Sequence, residues 1–173
     1  TFQVHCITGN PAYPVFDERR TGLHLLTNIL GGPGMNSRLN MSLRERNGYC
    51  YDVESHYAPY SDTGIFMVYF GCDKSKFEKS ISLVYKEFEK LRKNSLGSLQ
   101  LCKAKKQILG QVAIMSENNE ALMLSMGKTL LVFNKIDSLE EIRRKIEAIT
   151  ALQIMETANE ILDPNRLSVL KYS

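Results

Sequence analysis

Arg44 and Tyr51 stand seven residues apart in this chain, with Gly48 between them. A guanidinium offers several fixed N–H donors to carbonyl or carboxylate oxygens, and a phenol offers one O–H donor for developing negative charge. Together the two donors suit a site that holds a peptide and stabilises an oxyanion. A simpler interpretation also exists, in which Arg44 pairs with Glu45 or a helix end and Tyr51 packs on a sheet.

A glycine-rich loop precedes this pair. Gly31, Gly32 and Gly34 permit positive φ angles and close backbone approach, so they predict a turn between two helices and the wall of a cleft. A phosphate-binding loop fits poorly, because no G-K-[ST] follows and the loop comes after a helix. Ser37 or Asn36 is expected to cap the next helix, with Ser37 favoured, and Arg38 either lines the cleft or forms an interdomain ion pair.

The periodicity of apolar residues predicts the elements that position these groups. Strands are expected at 2–8, 51–57, 64–70 and 166–172, with a loop at Asn10-Pro11. Helices are expected at 17–30, 37–48, 77–91 and 121–133, and also after Gly97 and after two capping boxes, Ser138 with Glu141 and Thr150 with Gln153. This order predicts one α+β domain over 1–173, with two layers and helices on one face of a mostly antiparallel sheet.

Two segments carry a further expectation about burial. The strand at 64–70 is apolar on both faces, which indicates a central strand. The helix at 121–133 is rich in Leu and Met all round, which predicts cover on more than one side, in part from another domain. Asp52 and Glu54, next to Tyr51, alternate along a strand and are interpreted as solvent-side carboxylates.

Composition narrows the function classes. The chain has 173 residues, 43% hydrophobic and 24% charged, as an ordinary soluble domain does. The net charge of +3 is spread over several helices, which argues against nucleic-acid binding, and no apolar run approaches the ~20 residues that cross a membrane. Four widely spaced cysteines predict free thiols in a reducing compartment, so we expect a cytoplasmic location, either a bacterial cytosol or an organelle matrix.

One pattern in this chain resembles that of a known family. The pattern consists of Gly31-Gly32, Ser37-Arg38-Leu39, Leu43-Arg44-Glu45, Gly48 and Tyr51, followed by a hairpin whose second strand begins Thr63-Gly64-Ile65-Phe66. It is similar to the second, non-zinc domain of the insulinase-like zinc peptidases, the inverzincins, which include pitrilysin and the mitochondrial processing peptidases. The resemblance covers essentially the whole chain.

The resemblance implies that this is the C-terminal domain of a larger two-domain peptidase that closes around an unfolded peptide. The zinc would lie in the parent's other domain, on a helix with H-x-x-E-H and a downstream glutamate. This chain lacks that motif, so we expect no cofactor and no metal site in it, and no activity of the isolated domain. By the same resemblance Arg44 grips a substrate carbonyl, and the Tyr51 hydroxyl donates to the oxyanion as a catalytic group.

Three functions therefore compete. The first is a substrate-binding, site-completing domain of a zinc endopeptidase, whose partners are a zinc-bearing homologous domain in the same or a separate chain and a peptide. The second is a catalytically inactive scaffold or substrate-recognition subunit. The third is an unrelated α+β binding module. Retention of Arg44 and Tyr51 favours the first over the second, since a scaffold has no chemical need for either side chain.

Overall fold

The computed structural model describes residues 3–173 and contains four strands and six α-helices in that range. The strands are β1 (Gln3–Ala12), β2 (Cys50–Pro59), β3 (Gly64–Asp73) and β4 (Ser168–Tyr172). The helices are α1 (Arg20–Gly31), α2 (Phe77–Lys93), α3 (Ser98–Glu117), α4 (Asn119–Phe133), α5 (Leu139–Ala148) and α6 (Ala151–Ile161). A π-helix spans Asn40–Glu45, and a short 3₁₀ turn, Lys74–Lys76, leads into α2.

The four strands form one antiparallel sheet in the order β2-β3-β1-β4. Helix α1 packs on β2, α2 on β3 and α6 on β1, so the helices cover one face. This arrangement confirms the predicted α+β class. The central position of the apolar strand β3 is also confirmed, and it leaves β2 at the edge of the sheet.

The core lies between the sheet and these three helices. Alternate residues of β1 and β3 point into it, because side chains of a strand alternate between the two faces. Leu23, Leu26 and Leu30 of α1 meet them along one helical stripe and are fully buried. Cys6, Cys50 and Cys72 are buried free thiols on the same face, whereas Cys102 is exposed. Burial raises the pKa of Cys6 and Cys50 to about 11.

Several predicted boundaries were wrong, and β2 and β3 also extend beyond their predicted ends at 57 and 70. Strand β1 continues through Pro11 to Ala12, because β3 pairs with it along its whole length while β4 pairs only as far as Gly9. One side of Pro11 is therefore unpaired, and its missing N–H costs no sheet hydrogen bond there. Helix α1 begins at Arg20 rather than at Asp17, whose carboxylate instead accepts a hydrogen bond from the N–H of Arg19 at 2.8 Å. Strand β4 begins at Ser168.

Both capping boxes form as predicted. Ser138 Oγ accepts from the N–H of Glu141 at 3.2 Å, and the Glu141 carboxylate accepts from the N–H of Ser138 at 2.7 Å. Thr150 and Gln153 make the equivalent pair at the start of α6. Each box satisfies donors that the first helical turn leaves unpaired.

Helix α4 is less buried within this chain than the sequence predicted, which was burial on more than one side. Every residue of α3 and α4 is exposed or half-buried, and Leu131 of α4 is 89% exposed. Inside this chain α4 packs mainly against α3. Over residues 3–173, no helix has both the length and the apolar character to cross a membrane.

Candidate functional site

The glycine loop begins where α1 meets the edge strand β2. A Cβ on Gly31 would lie 2.8 Å from the backbone nitrogen of Ser55, so only glycine permits this approach. A Cβ on Gly32 would lie 2.7 Å from the carbonyl oxygen of Asn28. The Ser55 hydroxyl donates to the carbonyl of Thr27 at 2.7 Å and fixes the contact. The end of α1 is thus held tightly against β2.

The helix that follows the loop starts beside Ser37, but the predicted cap is wrong, because the Ser37 hydroxyl accepts no backbone N–H of that helix. The Ser37 carbonyl accepts from the N–H of Met41 at 2.9 Å, and its buried hydroxyl accepts from the side-chain amide of Asn40 at 2.9 Å. The segment then widens into the π-helix, a form that is rare and frequently found at functional sites. Gly48 ends it with φ +58, in the left-handed region.

Arg44 lies on the π-helix with its side chain about half exposed. Its Nε is 3.8 Å from a carboxylate oxygen of Glu45, which is also exposed. An ion pair of this length between solvated side chains contributes little, at most about 1 kcal/mol. The guanidinium head is therefore free to take another acceptor.

Tyr51 sits in a β-bulge at the start of β2. Cys50 pairs with Cys72 and Asp52 with Gly71, which leaves Tyr51 as the extra residue. The residue is 61% exposed, and its hydroxyl donates to Asp73 Oδ1 at 3.2 Å. The charge of Asp73 and this hydrogen bond raise the pKa of Tyr51, so the phenol keeps its proton at neutral pH.

Arg38 points into the domain, toward α2. Its guanidinium is 4.0 Å from the carboxylate of Glu87, which also binds Lys90 at 2.6 Å. Burial lowers the pKa of Arg38, and the charge of Glu87 opposes that effect. The ion pair thus lies within this domain.

A groove of about 1340 Å³ runs beside β2, between this strand and α3, α4 and α5. Gly31, Gly32 and Arg44 line it, whereas Ser37, Arg38 and Tyr51 lie outside the lining. The side formed by β2 and α1 is largely polar, and the side formed by α3, α4 and α5 is largely apolar. The lining of the two sides includes Asp52, Glu54 and His56 on the strand and Ile108, Met115 and Met126 on the helices.

The histidines have other partners. His5 bonds the hydroxyl of Tyr69 at 2.8 Å, His56 lies 3.1 Å from Glu54, and His24 packs against the ring of Tyr57. Within residues 3–173, no group of three His, Cys, Asp or Glu side chains is placed to hold a metal ion. The residues present thus do not fit zinc.

Two contacts at the site were not predicted from the sequence. Asp73 is the acceptor for Tyr51, and the hairpin register of β2 and β3 could have suggested it, since the two residues end facing strands. Asn28 of α1 donates to Gln111 of α3 at 2.6 Å. No sequence signal pairs these two amides, which are 83 positions apart.

Comparison with known proteins identifies the chain. Residues 3–108 match the family described as the peptidase M16 inactive domain. The chain belongs to this family. The M16 domain is 31% identical over 162 residues to an uncharacterized zinc protease of Streptomyces coelicolor, covering 94% of this chain and 35% of the relative. It is 28% identical over 161 residues to an uncharacterized zinc protease of Bacillus subtilis, covering 93% of this chain and 39% of the relative.

Solved structures agree on the fold. The M16 domain superposes on the peptidase M16 inactive domain of Pseudomonas fluorescens with a TM-score of 0.86 and 23% identity, over 99% of this chain and 41% of that one. A protease from Helicobacter pylori gives a TM-score of 0.82 at 17% identity, again over 99% and 41%. The M16 domain spans 35% and 39% of the length of the two curated relatives named above.

Proposed function

We propose that this domain is the C-terminal, non-zinc half of a zinc-dependent endopeptidase and completes that enzyme's active site. Zinc held by the homologous domain would supply the activated water. The observation that carries the proposal is that Arg44 and Tyr51 both present their polar heads at the surface, on the one corner that joins the π-helix to β2. Neither polar head is buried in the core.

The two side chains have distinct parts. The Arg44 guanidinium is a permanent cation that binds a backbone carbonyl of an unfolded peptide and orients it. The Tyr51 hydroxyl is a neutral donor aimed at the oxyanion that forms when water attacks. In the structure this hydroxyl donates to Asp73, so substrate must offer it a stronger acceptor. An oxyanion is such an acceptor and exists only after attack, which confines the benefit to the transition state.

The experiment is Tyr51→Phe in the protein assembled with its zinc-bearing domain. We expect kcat to fall about 100- to 1000-fold, as for other oxyanion donors, with zinc content unchanged. Tyr60→Phe is the matched control, because Tyr60 is a half-exposed tyrosine just beyond the opposite end of β2. An unchanged rate for Tyr51→Phe would remove this residue from the mechanism.

A second candidate function is a catalytically silent scaffold or recognition subunit. The hydrogen bond from Tyr51 to Asp73 favours it, because that bond gives the phenol a structural use. In that case the assembled protein has no hydrolytic activity to lose, and Tyr51→Phe changes only stability.

The partner and location follow from other parts of the domain. We infer that the zinc-bearing domain covers the exposed apolar residues of α3 and α4, since more than half of the length of each curated relative lies outside the part that this domain matches. The three buried free thiols support a reducing compartment such as a cytoplasm.

A further inference from the structure

The π-helix that carries Arg44 ends in a closed set of hydrogen bonds. A helix generally leaves its last carbonyl groups without a partner inside the helix. Here the carbonyl groups of four successive residues, at positions 41–44, accept hydrogen bonds from the segment 46–49. Three of the donors are backbone N–H groups at 2.9–3.1 Å, those of Arg46, Gly48 and Tyr49. The fourth donor is a side chain.

That side chain belongs to Asn47. Its amide nitrogen donates to the carbonyl oxygen of Ser42 at 2.6 Å, in a half-buried position. Ser42 is a buried residue, so a carbonyl group that lost its donor there would be destabilising. Short amide side chains bond readily to nearby backbone groups. Asn47 therefore does for the Ser42 carbonyl what a backbone N–H does for the three neighbouring carbonyl groups.

We propose that Asn47 is a positioning residue for Arg44, an inference that rests on the function proposed above. Asn47 acts through the backbone of the π-helix and not by contact with the peptide. A wide turn of this kind is rare and rarely extends beyond a single turn, so its surroundings must hold it. The Arg44 side chain adds little, since its nearest carboxylate, that of Glu45, is 3.8 Å away. The hydrogen bond from Asn47 thus keeps the backbone under the guanidinium in one conformation.

Tyr51, the second donor of this corner, is held by different contacts. Its place follows from the pairing of β2 with β3 and from its hydrogen bond to Asp73. Loss of the Asn47 amide should therefore loosen Arg44 and leave Tyr51 in position. A group that binds the peptide equally before and during the reaction is read in KM, whereas a donor used only in the transition state is read in kcat.

The test is Asn47→Asp in the protein assembled with its zinc-bearing domain, assayed with an internally quenched peptide. A carboxylate has the shape of the amide but no N–H to donate, so it cannot hold the Ser42 carbonyl. We expect KM to rise about tenfold and kcat to stay within about twofold. Asn159→Asp is the matched control and should change neither constant, because the Asn159 amide also donates to a helix carbonyl, that of Met155 at 3.0 Å, but on α6.

Hydrogen exchange in the same protein reports the backbone without reference to activity. The N–H groups of Arg46, Gly48 and Tyr49 should exchange at least about tenfold faster in Asn47→Asp, because the end of the π-helix opens more often. Asn47→Ala removes the donor without adding a charge, and it is measured in the same way in case the carboxylate prevents folding. Native exchange rates at these three groups would overturn the proposal.

Arg44→Ala separates this inference from the proposed function. If Arg44→Ala leaves KM unchanged, the peptide-binding role of Arg44 is wrong, and the inference about Asn47 is wrong with it. If Arg44→Ala raises KM and neither Asn47 variant does, only the inference is wrong. Combining Asn47→Asp with Arg44→Ala should raise KM no further than Arg44→Ala alone. A further rise would show that Asn47 acts on another group, which also contradicts the proposal.

Discussion

Two regions of this domain are built from similar residues but bury them to opposite extents. In the sheet layer, Leu26 of α1 and Phe70 of β3 are completely buried. In the helical pair that we call the α3–α4 arm (98–133), Leu124 is 55% and Leu131 is 89% exposed. Amino-acid type therefore does not fix burial here. A leucine-rich helix needs an apolar partner surface on its exposed sides, and inside this chain α4 packs mainly against α3.

The difference separates two tasks. The sheet layer holds Gly31 by its close approach to the Ser55 backbone, and it carries Tyr51 at the start of β2, next to the π-helix that bears Arg44. The arm supplies the apolar side of the groove and a surface of Leu and Met side chains. Patches of this kind mark interaction sites in soluble proteins. Stability should thus depend on the first region, and association on the second.

The largest predicted contrast uses one substitution in both regions. Leu26→Ala should lower the free energy of unfolding by about 3–5 kcal/mol, because it opens a cavity in a closed core. Leu131→Ala should change it by less than about 0.5 kcal/mol, because the side chain is already in solvent. Urea unfolding of the isolated domain measures both. Equal losses of unfolding free energy in the two variants would show that the two regions do not differ in burial.

Two glycine-to-alanine substitutions, one in each region, should change stability by smaller amounts and in opposite directions. Gly31→Ala should destabilise the domain by about 1–3 kcal/mol, because its Cβ would meet the Ser55 backbone at 2.8 Å. Gly127→Ala in α4 meets nothing within 4 Å and should stabilise by about 0.5–1 kcal/mol through helix propensity. Thermal midpoints report both shifts. A stabilising Gly31→Ala would mean that α1 does not approach β2 so closely.

The smallest predicted effect concerns pH at the boundary of the two regions. His24 has its pKa lowered to about 4, against about 6.5 unfolded, so the unfolded chain binds its proton first as pH falls. The contribution of neutral His24 to the free energy of unfolding is complete above pH 6.5 and is lost as the pH falls from 6.5 to 4. Because solvent reaches the ring, we expect only about 1 kcal/mol. Between pH 7 and pH 4.5, His24→Gln should lose less unfolding free energy than the native chain in chemical denaturation; equal losses would argue against a lowered pKa of His24.

Local signals carried most of the correct sequence predictions. The capping boxes at Ser138 and Thr150 form because each joins groups three residues apart, whatever the rest of the chain does. The central strand β3 was recognisable because both of its faces are apolar. Boundaries that depend on a neighbour failed: Pro11 reads as a loop residue, and only the pairing of β1 with β3 makes it part of a strand.

The sequence by itself determined the order of elements, the α+β class and the presence of Arg44 and Tyr51 on either side of Gly48. Only the tertiary structure decided that Tyr51 donates to Asp73, 22 positions away, and that Asn28 meets Gln111, 83 positions away. The physical reason is distance along the chain. Periodicity and caps are set by neighbours within one or two turns, whereas these contacts exist only once the hairpin has paired and α3 has packed against α1.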